Sequence, residues 1–134
     1  MRSVLPLALA LLAAGCDADG RPVGYSGPAD YAYTLRVACY CVYTGPTRVT
    51  VRDGVVVSAQ ALADLGGTPQ SDVDAVALTL AELSAIAARA EREAAHVTVQ
   101  VDPVYGFPTE LAIDWTAAAA DDEVTYTATD YVAL

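Results

Sequence analysis

From Tyr31 to Tyr43 every second residue is apolar, aromatic or cysteine: Tyr31, Tyr33, Leu35, Val37, Cys39, Cys41 and Tyr43, with Thr34 and Arg36 among the residues between. Side chains alternate across a strand with a period of two, so this run marks a strand with one buried face. A helix would scatter the same rings around its circumference. The chain must therefore build a sheet around this strand, which Gly45-Pro46 ends.

The rest of the sequence supplies the partners. Val49 and Val51 alternate with Arg48, Thr50 and Arg52, and Asp53-Gly54 follows. A type I′ turn needs positive φ at both central residues, which makes this dipeptide a strong hairpin signal. Val55 to Ala59 returns as a third strand, and residues 63–74, with Gly66-Gly67 and Pro69, read as a loose connection. The period changes at Thr79. Leu80, Leu83, Ile86, Ala87 and Ala90 fall on one helical stripe, with Arg89, Arg92 and Glu93 largely off it. Thr79 and Glu82 have the spacing of a capping box. Three further strands show in Val97, Val99 and Val101, in Leu111, Ile113 and Trp115, and in Val124, Tyr126 and Ala128. The expected fold is α+β, β-β-β-α-β-β-β, an antiparallel sheet of about six strands with one helix packed on one face. The pattern leaves the strand order open.

The first sixteen residues, MRSVLPLALALLAAGC, carry Arg2, an apolar run from Val4 to Ala14, and Gly15-Cys16. This is the layout of a secretory signal, too short to span a bilayer. Leu12-Ala13-Ala14-Gly15-Cys16 resembles the lipobox of bacterial lipoproteins, although Ala13 stands where Leu, Val or Ile is usual. The resemblance implies cleavage before Cys16 and a diacylglycerol on its thiol. The expected organisation is then a signal peptide over 1–15, a lipid-anchored flexible tether over 16–29, rich in Gly, Pro and Asp, and a single domain over 30–134. The expected location is the cell membrane or outer membrane, lipid-anchored and exported from the cytoplasm. Seven arginines, no lysine and 17 acidic residues give a net charge of −10. Such a surface repels nucleic acid and anionic lipid headgroups. The expected partners are the membrane, through the anchor, and another envelope protein.

Taken in order, Tyr31-x-Tyr33 leading to Cys39-x-Cys41, the VTVRDGVV hairpin, the DPVYGFP loop, IDW and DDEVTY resemble one set of small bacterial lipoproteins. These are catalogued as domain of unknown function 6174. The resemblance covers Asp30 to about Tyr131. Ser84 follows LAEL where an aromatic is expected, which implies a lighter helix contact there. The resemblance implies an exported envelope protein with no assigned activity, and it brings no catalytic residues.

Cys39 and Cys41 are the one stretch that looks like chemistry. In a regular strand they share a face about 6.6 Å apart, whereas a disulfide wants Cβ atoms about 3.8 Å apart. A bridge therefore needs a bulge or kink, and two buried thiols are the other structural reading. A zinc site needs two more ligands and the only histidine is His96. A redox exchanger usually separates its cysteines by two residues ahead of a helix. Asp121-Asp122-Glu123 reads as a solvated turn, and no EF-hand loop is present. Ser58, Ser71 and Ser84 lack a nucleophile-elbow context. No catalytic residue, metal ligand set or cofactor is expected. Trp115 reads as core. A partner is expected to meet an exposed strand edge or the DPVYGFP loop, whose candidate residues are Asp102, Tyr105, Phe107 and Pro108. The expectation is a non-catalytic binding or assembly-support domain. The alternatives are an inhibitor or ligand sensor for secreted enzymes, and a thiol-redox or metal-binding protein using Cys39 and Cys41.

Overall fold

The computed structural model describes residues 15–17, 20–41, 43–63 and 67–134. The expected signal peptide, Gly15 apart, lies outside these residues. Six strands form the sheet: β1 (Tyr31–Cys39), β2 (Thr47–Arg52), β3 (Val55–Ala61), β4 (His96–Val101), β5 (Pro108–Asp114) and β6 (Glu123–Ala133). Their order is β3-β2-β1-β6-β5-β4, antiparallel throughout. Two three-strand meanders thus meet along the central pair β1 and β6. The helical connection, α1 (Gln70–Val76) and α2 (Leu80–Glu93), runs from the edge strand β3 to the opposite edge strand β4.

Local chemistry explains the elements. Asp53 (φ 49°) and Gly54 (φ 73°) make the β2–β3 turn with the two positive φ angles that its sequence implies. The Asp30 carboxylate accepts from the Asp53 amide (2.8 Å) and from Arg52 (3.3 Å), pinning that turn to the start of β1. The α2 capping box closes in both directions, with the Glu82 amide donating to Thr79 Oγ1 (3.0 Å) and the Thr79 amide to Glu82 Oε2 (2.7 Å). Leu80, Leu83, Ser84, Ala87 and Ala90 are the buried residues of α2. All but Ser84 share one core with Tyr31, Tyr33, Leu35, Val37, Val49, Val51, Val99, Leu111 and Ile113. The Ser84 hydroxyl is satisfied by the Leu80 carbonyl (2.7 Å), so a small polar side chain is tolerated there.

Four features depart from the sequence reading. The connection expected over 63–74 gives way at Gln70 to α1, which runs to Val76 and whose only buried residue is Val73; seven residues with so little apolar surface give no legible helical stripe. β1 ends at Cys39, four residues before Tyr43, because the chain bends at Tyr40 and Cys41. Tyr43 instead joins Ala59 and Val73 in a second, smaller core. Trp115, expected in the core, packs against the main core but is only half-buried, with Arg89 4.6 Å from its ring centroid. Finally, residues 20–28, expected as free tether, pack on the domain. Val23 is in the main core, the Gly24 amide donates to the Gly106 carbonyl (2.9 Å), and the Ser26 amide to the Tyr105 carbonyl (2.9 Å).

Candidate functional site

The 102–108 connection is braced from within. The Asp102 carboxylate accepts from the amides of Val104 (3.0 Å) and Tyr105 (2.7 Å), while the Asp102 amide donates to the Phe107 carbonyl (2.8 Å) and the Gly106 amide to the Asp102 carbonyl (3.0 Å). Gly106 has φ +74°, and a Cβ there would stand 2.5 Å from the Gly24 carbonyl oxygen, so only glycine fits between the two chain segments. Phe107 and Pro108 are buried. Tyr105 is half-buried and contacts the rings of Tyr25 and Tyr131. Of the four loop residues named for partner binding, two are therefore core and Asp102 is spent on its own turn. Sequence reasoning failed here because a Gly-Pro loop with two rings looks exposed until the segment that covers it is identified. That segment carries Tyr25, a lone ring in a Gly/Pro stretch with no period to betray it.

Around Tyr25 the structure assembles Tyr31, Tyr105, Phe107 and Tyr131 into one aromatic group, with centroid separations from 4.8 to 6.4 Å for the contacts of Tyr25. The hydroxyls of Tyr25 and Tyr131 lie 2.8 Å apart. Tyr31 accepts from the Leu80 amide (2.8 Å) and Tyr33 donates to the Leu78 carbonyl (2.6 Å), so the first buried face of β1 also fixes the start of α2. Burial pushes the hydroxyls of Tyr25, Tyr31 and Tyr33 above the ordinary tyrosine range, aided at Tyr25 by its hydrogen bond to Tyr131. These rings are neutral supports rather than proton donors poised near neutral pH.

Cys39 and Cys41 are bonded to each other, with Cα atoms 5.2 Å apart. That is shorter than the roughly 6.6 Å of an extended pair, and the bend at Tyr40 supplies the difference. Bridged sulfurs have no thiolate to give a metal. Tyr40 between them is 90% exposed. Among the described residues no group of three His, Cys, Asp or Glu side chains is placed to hold a metal ion. His96 is exposed at the start of β4, and Cys16 is exposed with a free thiol.

The β3 edge is a second candidate surface. Val55 and Val57 are 62% and 58% exposed, and Leu62 just beyond the strand is also exposed. A register shift opposite Thr50 and Val51 places Val57 at a bulge. A groove of about 370 Å³ lies between this strand and α1, lined by Val56, Val57, Ser58, Ala59, Asp74 and Ala77. Gln70 of α1 donates to the Ala59 carbonyl (2.7 Å), covering the end of the edge and leaving the valine end open. Sequence reasoning expects a partner at an exposed strand edge or at the DPVYGFP loop, but it names no β3 residue for the edge. The signal was present in Val55-Val56-Val57, where the alternation of a one-sided strand breaks down.

The geometry defines an α+β domain made of a six-stranded antiparallel sheet and two helices, with exposed valines on one edge strand. A family model described as a family of unknown function (DUF6174) matches residues 25–133, and the chain belongs to that family. The match begins at Tyr25, inside the segment that packs on the domain. No curated protein and no solved structure matches the chain.

Proposed function

We propose that the protein is a lipid-anchored, exported envelope protein whose domain binds a partner without catalysis, and that the partner meets the β3 edge. The signal-and-lipobox layout ending at Cys16 supports the anchor. The observation that carries the binding reading is the exposure of Val55 and Val57 on an edge strand. An unpaired strand edge presents backbone donors and acceptors to another chain, and natural sheets usually protect such edges with charge, proline or a bulge. β3 has the bulge at Val57 but neither charge nor proline, and its exposed large side chains there are valines. An extended segment of another envelope protein, apolar at alternate positions, fits an edge of this kind by adding a strand. In this reading α2 covers one face of the sheet, the Cys39–Cys41 bridge is a clasp that turns the chain out of β1, and the domain begins near Val23.

The test is to express the lipidated protein with Val57→Asp in cells and purify it from detergent-solubilised envelope. The expected result is an unchanged melting temperature and loss of a partner that co-purifies with the wild type at fixed stoichiometry. Retention of the same partner by a folded Val57→Asp protein removes the β3 edge from consideration. Replacing Cys16 with Ser tests the anchor separately: the protein is expected to leave the membrane fraction.

A further inference from the structure

We propose that the end of the domain bearing Arg21, Pro22, Pro103 and Val104 rests against the bilayer that holds the lipid on Cys16. This seat rests on the anchoring reading above. A free tether of fourteen residues could reach about 45 Å from its lipid when extended. The described part of the segment does not behave as one. Cys16 forms an antiparallel bridge with Pro22. The Asp17 amide donates to the Arg21 carbonyl (2.7 Å), the Arg21 amide to Asp17 Oδ1 (2.7 Å), and the Gly20 amide to the Asp17 carbonyl (3.0 Å). Pro22 is followed at once by Val23 in the main core and Gly24 on Gly106. The lipid-bearing residue is thereby folded back beside the domain surface.

What lies beside it suits an interface with lipid. Val104 is 71% exposed at the tip of the 102–106 turn, next to the exposed Pro103. Together with Arg21, Pro22, Gly24 and Ser26 these residues line a groove of about 560 Å³. The Asp102 carboxylate in the same turn is held by the Val104 and Tyr105 amides. Arg21 is the one cation among the described residues that line the groove, on a chain whose net charge is −10. An apolar tip beside a cation is the arrangement that lies at the headgroup boundary, and a second contact strengthens attachment by a lipid. The turn joins β4 to β5, at the edge of the sheet opposite β3, while the β2–β3 turn lies at the same strand end. Seated on the β4 corner, the molecule holds Val57 five strand spacings from the turn, about 24 Å.

Tryptophan fluorescence in vesicles tests the seat. The lipidated protein carries Trp115→Phe and Val104→Trp, and is reconstituted in phosphatidylcholine with brominated acyl chains. A second protein carries Trp115→Phe and Val57→Trp. Circular dichroism confirms that both are folded. The expected result is a blue-shifted emission from the Val104→Trp protein that brominated lipid quenches, and an emission from the Val57→Trp protein that it leaves unchanged. Unquenched emission from the Val104→Trp protein, while Cys16 still anchors it, overturns the seat and leaves the anchor standing. Quenching of both proteins equally also overturns it, because the orientation is then lost. If Cys16→Ser protein remains in the membrane fraction, the anchoring reading fails and the seat fails with it.

Discussion

The two edges of the sheet are finished in different ways. β4 turns His96, Thr98 and Gln100 to solvent, and its inward residues Val99 and Val101 sit in the main core with Leu80, Leu83, Ala87 and Ala90 of α2. The helix behind it has fourteen residues, a complete capping box and two tyrosines of β1 bonded to its first turn and to the residue before its cap. β3 exposes Val55 and Val57, and behind it lies a helix of seven residues that follows Pro69 with no side-chain cap and buries only Val73. Its core is the small group of Tyr43, Ala59 and Val73. The main core is thus shared by β1, β2, β4, β5 and α2, and the exposed valines lie at the edge backed by the smaller core. Segments that open easily are where binding surfaces tend to be found, and the contrast teaches that here the exposed valines and the thin packing coincide.

Substitutions can break this contrast or sharpen it. The largest effect is expected from Tyr31→Ala, which empties a site shared by the aromatic group and the α2 start; about 3–5 kcal/mol of stability should be lost in a single cooperative denaturant transition. Leu83→Ala is expected to cost about 2–5 kcal/mol, also globally. Val73→Ala should cost less, about 1–3 kcal/mol, and should speed amide exchange in α1 and β3 while α2 and β4 stay protected. Equal acceleration in both regions would erase the difference between the two edges. Reducing the Cys39–Cys41 bridge releases a loop of only three residues, so chain entropy gives about 1–2 kcal/mol. The change should be felt at Tyr43 and its neighbours before it is felt at α2. Val57→Asp should move stability by no more than about 0.5 kcal/mol, since the side chain is exposed.

Alkaline titration adds a check on the aromatic group. Burial raises the hydroxyl pKa of Tyr25, Tyr31, Tyr33 and Tyr126 in the folded state. The unfolded chain then loses these protons first, near about pH 10, so their contribution is intact below that pH and falls as the pH climbs above it. Phenolate absorbance should show a group of tyrosines that ionise only as the protein unfolds. Tyr25→Phe removes the hydroxyl pair with Tyr131 and should reduce that late phase.

Much of the sheet was legible because strands with one buried face write their pattern plainly: Tyr31 to Val37, Val49 and Val51, and Leu111 and Ile113 all read correctly. The Asp53-Gly54 turn and the Thr79–Glu82 cap were legible for the same reason, since each depends on residues close in sequence. Long-range packing was not. Tyr25 is separated from Tyr105 and Tyr131 by most of the chain, and nothing local shows that it covers the 102–108 loop. That is why Phe107 and Pro108, read as loop surface, turned out to be core. α1 was missed because Val73 alone buries too little to impose a helical period. The Cys39–Cys41 bridge was one of several open readings, decided by a bend at Tyr40 that no pattern of alternation encodes.

The most direct measurement of the division between the edges is site-specific photocrosslinking in cells, with the reactive residue placed at Val57 in one protein and at Thr98 of β4 in another. The predicted result is a discrete protein adduct from position 57, abolished by adding Val55→Asp, and none from position 98. An adduct from position 98 with none from position 57, in proteins that both fold and reach the membrane, would contradict it.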